Sequence, residues 1–279
     1  MQIKFCKNEL KHNIQKQEIM KVTFDSNTWR QIASPETFPG DPDIVAIRKI
    51  RQTIIDGKII PCLSETIFTL EGIQRKDRKQ FLSDYKAKID FKETENDDGS
   101  IGLNISIGPD IKAHPRNNPF LTKHLTDALQ IGFKILKCPR IAGITNPDID
   151  KYFLEQSSDE LKEKLEILGK LLQEIEKKGV GIKVIKVIGD KYKGTAPNWH
   201  VGIRLAPDSV SNDISKAMAE WADGDSVASH IAYKNDYFCT RDLAKKSGPQ
   251  SIFSSLNRQW LETDYKVIFV DPNELLSKI

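Results

Sequence analysis

The apolar positions of this chain repeat with two different periods, and the alternation between them outlines a parallel α/β fold. Residues 21–24 (Lys-Val-Thr-Phe) form a short strand-like run ending at Asp25, and Ser26, Asn27 and Thr28 behind it are turn and helix-cap types. Asp25 is therefore expected at the carboxyl end of a buried strand. After a Pro-, Gly- and Asp-rich loop at 35–42, Ile44, Ile47, Ile50 and Ile54 recur at helical spacing until Gly57 stops them, and 59–63 predict a second strand. Ser64 suits the N-cap of a helix running through Glu71 toward Leu82. A strand-helix-strand-helix opening of this kind points to a parallel sheet with covering helices.

From about residue 86 the rhythm changes. An acidic, glycine-containing turn at 93–100 precedes alternating Ile101, Leu103, Ile105 and Ile107, the pattern of a half-exposed strand. A loop at 109–119 leads into an amphipathic helix at 121–136. A stronger helix is expected over about 159–178, with Ser157 and Glu160 in capping-box relation, a stripe of Leu161, Leu165, Leu168, Leu172 and Ile175, and Gly179 as its stop. The runs 184–188 and 201–205 predict strands flanking a loop at 189–200. Helices at 214–221 and 225–234, short strands at 237–239 and 267–270 and a closing helix at 273–279 then restore the opening rhythm. The expected fold is one enlarged three-layer α/β/α domain with a mainly parallel central sheet, its core formed by about 21–85 and 205–279, interrupted by an α+β insertion at about 86–204.

Composition narrows the function only slightly. The 279 residues are 39% hydrophobic, enough for a sizeable core, and 42 basic against 39 acidic residues leave a net charge of +3, too small to point to a polyanionic partner. Cys6, Cys62, Cys138 and Cys239 stand far apart without zinc-ligand spacing. His12, His114, His124, His200 and His230 form no visible pair. No phosphate-binding glycine loop, signal core or membrane-length apolar run occurs, so the expectation is a soluble cytoplasmic protein.

The chemistry resides in the carboxylates. Residues just past the carboxyl ends of parallel strands converge on a common crevice, where open sheets bind ligands. Asp25 follows the first strand, Asp242 follows the strand at 237–239, Asp225 opens the helix leading into that strand, and Glu71 follows the second strand. Taken singly, Asp225 reads as a helix cap, Asp25 and Asp242 as turn residues, and Glu71 as a solvated helix position. Their order, with Ser26, Asn27 and Thr240 beside them, suggests a joint site.

In this the chain resembles the PIN-domain nucleases, a family that includes the toxin ribonucleases of toxin-antitoxin pairs. The resemblance is carried by Phe24-Asp25-Ser26-Asn27-Thr28, Ser64-Glu65-Thr66-Ile67-Phe68-Thr69-Leu70-Glu71, Asp223-Gly224-Asp225-Ser226-Val227-Ala228-Ser229-His230 and Phe238-Cys239-Thr240-Arg241-Asp242. A final strand and Pro-started helix within 267–276 complete it. The resemblance implies an acidic quartet of Asp25, Glu71, Asp225 and Asp242, with Thr240 as accessory hydroxyl and Asn27 as polar companion. Glu65 competes with Glu71 for the second place, but six helical residues turn about 600° and set the two roughly 120° apart, so they cannot serve equally. Glu71 is preferred, because Glu65 suits the dipole of a first helical turn.

Crowded carboxylates repel one another and call for hard cations, for which Mg²⁺ or Mn²⁺ suit all-oxygen ligands. The implied activity is metal-dependent, in-line hydrolysis of phosphodiester bonds, with RNA the favoured substrate. An antitoxin-like protein partner and a homodimer stay open. Arg241 is the expected substrate contact, with Arg75 and Arg78 from a basic cluster that also holds Lys76 and Lys79. Trp29 and Trp199 could stack on bases, although an isolated Trp is more often core or rim. Two other readings compete: a haloacid-dehalogenase-like phosphatase with Asp25 as nucleophile, which has Asn27 where a second Asp is usual, and a PIN-like module that binds nucleic acid or protein without cutting.

Overall fold

The computed structural model describes residues 19–66, 70–84, 87–95, 99–109, 119–138, 149–242 and 248–279. Cys6, His12, His114, residues 67–69 and most of the expected 109–119 loop lie outside them. Strand β1 (Met20–Phe24) is followed by helices α1 (Trp29–Ala33) and α2 (Ile44–Ile55) and strand β2 (Ile59–Ser64). A 3-10 turn (Arg75–Asp77) leads into α3 (Arg78–Ser83), and β3 (Ala87–Glu95) pairs antiparallel with β4 (Ile101–Pro109) as a separate hairpin. Next come α4 (Pro119–Gln130), β5 (Lys134–Leu136), α5 (Ser158–Lys177), α6 (Ile182–Tyr192), α7 (Trp199–Leu205) and α8 (Ser211–Ala232). Strand β6 (Tyr237–Cys239), α9 (Ser255–Asp264), β7 (Phe269–Val270) and α10 (Pro272–Leu276) complete the described chain.

The central sheet is parallel throughout and ordered β5-β2-β1-β6-β7. Its side chains alternate between two apolar cores, as a sheet covered on both faces requires. Val22, Phe24, Leu63, Ile135, Cys239 and Val270 face α1, α2, α4 and α10, where Trp29, Ile32, Ile47, Ile50, Leu125 and Leu275 complete one core. Cys62, Leu136, Phe238 and Phe269 face the other way, onto α5, α8 and α9. On that face Thr23 presents a hydroxyl instead, bonded to His230 Nδ1 at 3.0 Å and to the Asn235 amide at 2.8 Å.

A third core lies beyond the sheet. Leu70, Phe81 and Leu82 meet Ile185, Ile203 and the first half of α8, through Ile214, Ala217, Met218, Trp221 and Ala222. The second half of α8 contributes Val227, Ala228 and Ala232 to the sheet. One 22-residue helix thus joins a sheet body to a helical lobe.

The helix expected at 159–178 is α5, with both capping-box bonds between Ser157 and Glu160 formed. Other expectations are corrected. The runs at 184–188 and 201–205 belong to helices α6 and α7, because their apolar residues fill the lobe core on a helical face. The helix expected at 121–136 ends at Gln130: Gly132 takes φ +115°, and Lys134–Leu136 joins the central sheet beside β2. The two helices expected at 214–221 and 225–234 are one, α8. Gly224, which falls between the two expected helices, is a packing position, since a Cβ there would come within 3.1 Å of Gly181 Cα. No helix among the described residues is long and apolar enough to cross a membrane.

Candidate active site

Parallel pairing of β1 with β6 aligns Phe24 with Cys239, so Asp25 and Thr240 emerge side by side one residue later. The backbone holds them there: Asp25 N donates to Cys239 O at 3.0 Å, and Thr240 N to Val270 O at 2.9 Å. Thr28 Oγ1 bridges Asp25 O and Cys239 O at 3.0 and 3.1 Å, binding the start of α1 to both strands.

Both oxygens of the buried Asp25 carboxylate accept hydrogen bonds, Oδ1 from Ser26 N and Oδ2 from Thr240 Oγ1, each at 2.6 Å. Thr240 Oγ1 in turn accepts from Asn27 Nδ2 at 3.2 Å and from Asp242 N at 3.0 Å. Asn27 Oδ1 accepts from Arg241 N at 3.0 Å, which orients the amide. Asp25, Asn27 and Thr240 therefore form one bonded unit, reached by the backbone of Asp242. Burial raises the proton affinity of Asp25 above the ordinary carboxylate level; the Thr240 and Ser26 bonds oppose that rise, and the Asp242 charge adds to it.

Glu71 lies in the turn that leads from β2 into the lobe, its N–H donating to Thr66 O at 3.4 Å. Burial first, and then the charge of Asp25, push its pKa up to about 7, against the pull of Arg78, Ser26 and Arg30. Glu65 serves elsewhere, its Oε2 accepting from Cys138 N at 3.2 Å.

The fourth member of this electrostatic group is one that the sequence reading passed over. Asp223 on α8 is held well above the ordinary range by burial and by Asp25, Glu71, Glu220 and Asp242 together. Asp225, the expected quartet member, follows about 200° around the same helix. It is 2% exposed, inside the helix body rather than at a helix start, and its carbonyl accepts the Ser229 hydroxyl at 2.8 Å. A continuous α8 could have been inferred from Ile214, Ala217, Met218, Trp221 and Ala228, whose spacing keeps to one helical face across Gly224. Glu220 and Asp223 then share a face as an i,i+3 pair. Burial also lifts Glu220 to about 7, although its Oε1 accepts from Ile252 N at 2.6 Å and Gly181 N at 3.3 Å.

The expected substrate cations fare differently. Arg241 forks onto Asp41, Nη1 and Nη2 lying 2.8 and 2.5 Å from its two oxygens, and its Nε stands 3.0 Å from Asp43. Arg78 is buried, donating to Ile73 O and, at 2.7 Å, to Ser215 O. Both are engaged inside the protein, whereas Arg75 is exposed. Trp29 is wholly buried core; Trp199 is half-buried in the lobe. His124 bonds Ser34 Oγ and His230 bonds Thr23, so neither faces the carboxylates.

Chemically, the arrangement concentrates oxygen donors and negative charge near the carboxyl ends of β1 and β6. These are donors for a hard divalent cation; their proton affinities are raised by burial first and by one another's charge second, and a cation would offset the second effect. The fit is one of charge and donor type: among the described residues no three His, Cys, Asp or Glu side chains stand together as a ready ligand set. No family model matches the chain, and neither a curated protein nor a solved structure matches it.

Proposed function

We propose that this chain is a metal-dependent nuclease of PIN-like type that hydrolyses phosphodiester bonds, with RNA the favoured substrate. The observation that carries the reading is Asp25 at the carboxyl end of β1, bonded to Thr240 at the end of β6, within electrostatic reach of Glu71, Asp223 and Asp242. Carboxylates held against their mutual repulsion destabilise a fold unless something is gained by keeping them together.

In this reading Asp25, Glu71, Asp223 and Asp242 would offer oxygen donors to Mg²⁺ or Mn²⁺, with water completing the coordination because no three of them stand together as a ready set. Asp223 would take the place the family resemblance gives to Asp225. The cation would supply charge to offset the growing negative charge on the phosphate and would promote ionisation of the attacking water. Thr240 fixes one Asp25 oxygen and Ser26 N the other, so the carboxylate keeps one orientation. Glu71, with its pKa near 7, can hold or release a proton at its carboxyl oxygen under physiological conditions.

The test is incubation of the purified full chain with single-stranded RNA and DNA oligomers in Mg²⁺, Mn²⁺ or EDTA. Cleavage of RNA that requires the cation and disappears in Asp25→Asn is the expected result. Cation-independent cleavage, undiminished activity of Asp25→Asn, or no cleavage of either polymer overturns the proposal.

A further inference from the structure

The helical lobe contains a pocket of about 440 Å³ walled by Leu82 of α3, Ile182 of α6, Trp199, His200 and Arg204 of α7, and Trp221 of α8. Its volume is that of a site for a small organic ring system, and a docked helix about 10 Å across would not enter it. Two indoles and an imidazole stand among aliphatic walls. Trp199 and Trp221 meet edge to face at 6.4 Å, and His200 meets Trp199 in the same way at 6.1 Å. Trp221 is fixed in the lobe core at 6% exposure, while Trp199 keeps part of its surface open.

Charge selects among the ligands that such rings could take. His200 and Arg204 stand one helical turn apart on α7, both exposed. Among the described residues no hydrogen bond or ion pair engages the Arg204 guanidinium, in contrast to Arg78 and Arg241. An aliphatic ligand would leave this cation unused, and a bare anion would leave the indoles unused. A base carried on a phosphate backbone uses both, stacking on the aromatic faces while the guanidinium stacks or pairs with phosphate.

The pocket also shares its helices with the carboxylates. Trp221 is two residues before Asp223 on α8 and projects about 200° around the helix from it, so the link runs through α3, where Leu82 follows Arg78 by one helical turn, about 6 Å of rise. Arg78 itself stands in the field of Glu71 and Asp223.

We propose that this pocket receives an unpaired base of a single-stranded nucleic acid whose backbone passes the carboxylate cleft. The proposal rests on the nuclease reading and adds a base-recognition site to it. In the full-length Asp25→Asn protein, a single-stranded RNA oligomer should quench tryptophan fluorescence and bind about tenfold or more tightly than an abasic oligomer of the same length. Trp199→Leu and Arg204→Gln should each weaken that binding by about tenfold. Arg204 is exposed, so its variant keeps the test decisive if loss of Trp199 loosens the lobe.

Equal binding of abasic and base-bearing oligomers overturns the proposal, as does unchanged affinity in Arg204→Gln with Trp199→Leu folded. Quenching by an apolar peptide but not by RNA overturns it too. Cleavage by the wild-type chain separates the two readings: cutting without base-dependent binding removes the pocket alone, and base-dependent binding without cutting supports the pocket and removes the nuclease.

Discussion

The hydroxyl of Thr240 donates to Asp25 across 2.6 Å, joining the ends of two adjacent parallel strands through side chains as well as backbone. The same hydroxyl accepts from Asn27 and from the Asp242 backbone, so its single proton is committed to Asp25. Removing it frees the carboxylate to rotate and raises its proton affinity further, since this bond opposes the effect of burial. In the nuclease assay Thr240→Val should lose tenfold or more in kcat, on the order expected for an orienting bond, and its acid limb should move to higher pH. Thr240→Ser should recover both; a pH-rate profile of the three proteins checks it.

Asp223 and Asp225 make opposite predictions from neighbouring positions. Asp223 is half-buried within the field of four other carboxylates, so Asp223→Asn should raise the melting temperature by removing the cost of burying its charge and the repulsion, while lowering activity by about 100-fold or more. Asp225 is enclosed in the body of α8, and Asp225→Asn should retain more activity than Asp223→Asn. Thermal melts and cleavage rates measured on the same preparations decide between the two acids.

Glu71 and Glu220 set the direction of a pH effect. Each has its folded pKa raised from 4.5 to about 7, so between those values the folded chain holds protons that the unfolded chain has released. Stability therefore falls as pH rises through this window, by on the order of 1–2 kcal/mol per group after allowance for partial solvent contact. Urea unfolding at pH 5 and pH 8 should show the loss, and Glu71→Gln should reduce it. If the cleft binds a divalent cation, Mn²⁺ should restore more stability at pH 8 than at pH 5, because only the ionised carboxylates bind it.

How much of this was legible depended on whether local pattern and tertiary packing agreed. They agree in β1, where Val22 and Phe24 face one core and Asp25 follows, and in α5, whose cap and apolar stripe are complete within its own residues. They disagree in α6 and α7. Their β-branched runs suit strands, but Ile185 and Ile203 are buried by a lobe that only distant segments create. The site followed the same rule. Asp25, Asn27 and Thr240 could be placed from strand ends, whereas Asp223 depended on reading α8 through Gly224, a glycine closely packed on Gly181.

Arg241 is expected to act on stability more than on nucleic-acid affinity. Burial works against ionisation of Asp41, but hydrogen bonding and charge from Arg241 outweigh it and hold Asp41 below the ordinary carboxylate range. The stability from this pair is present above that range and is lost as pH falls through the lowered pKa. Arg241→Gln should cost about 2–4 kcal/mol at pH 7, since it leaves the largely buried Asp41 with no guanidinium fork. The cost should shrink in acid, as denaturant titrations at pH 3 and pH 7 would show. A loss of nucleic-acid affinity with unchanged stability would instead make Arg241 a substrate contact.

The lobe should be most sensitive where α6 crosses α7. A Cβ on Gly202 would lie 1.7 Å from Gly189 O, and one on Gly189 would lie 2.2 Å from Trp199 O. These obstacles are backbone atoms within helices, so no rotamer change can clear them and the helices themselves must separate. Gly202→Ala should destabilise the chain by about 2–4 kcal/mol, beyond the usual cost of overpacking, because the displacement spreads to Ile203 in the lobe core. Trp199 moves with the same helix, so the variant should also change tryptophan emission and weaken base-dependent RNA binding. Native-state proteolysis with fluorescence-monitored urea unfolding locates the damage: cleavage sites should concentrate in 182–205, and a variant as stable as wild type would show that α6 and α7 are not packed at Gly189 and Gly202.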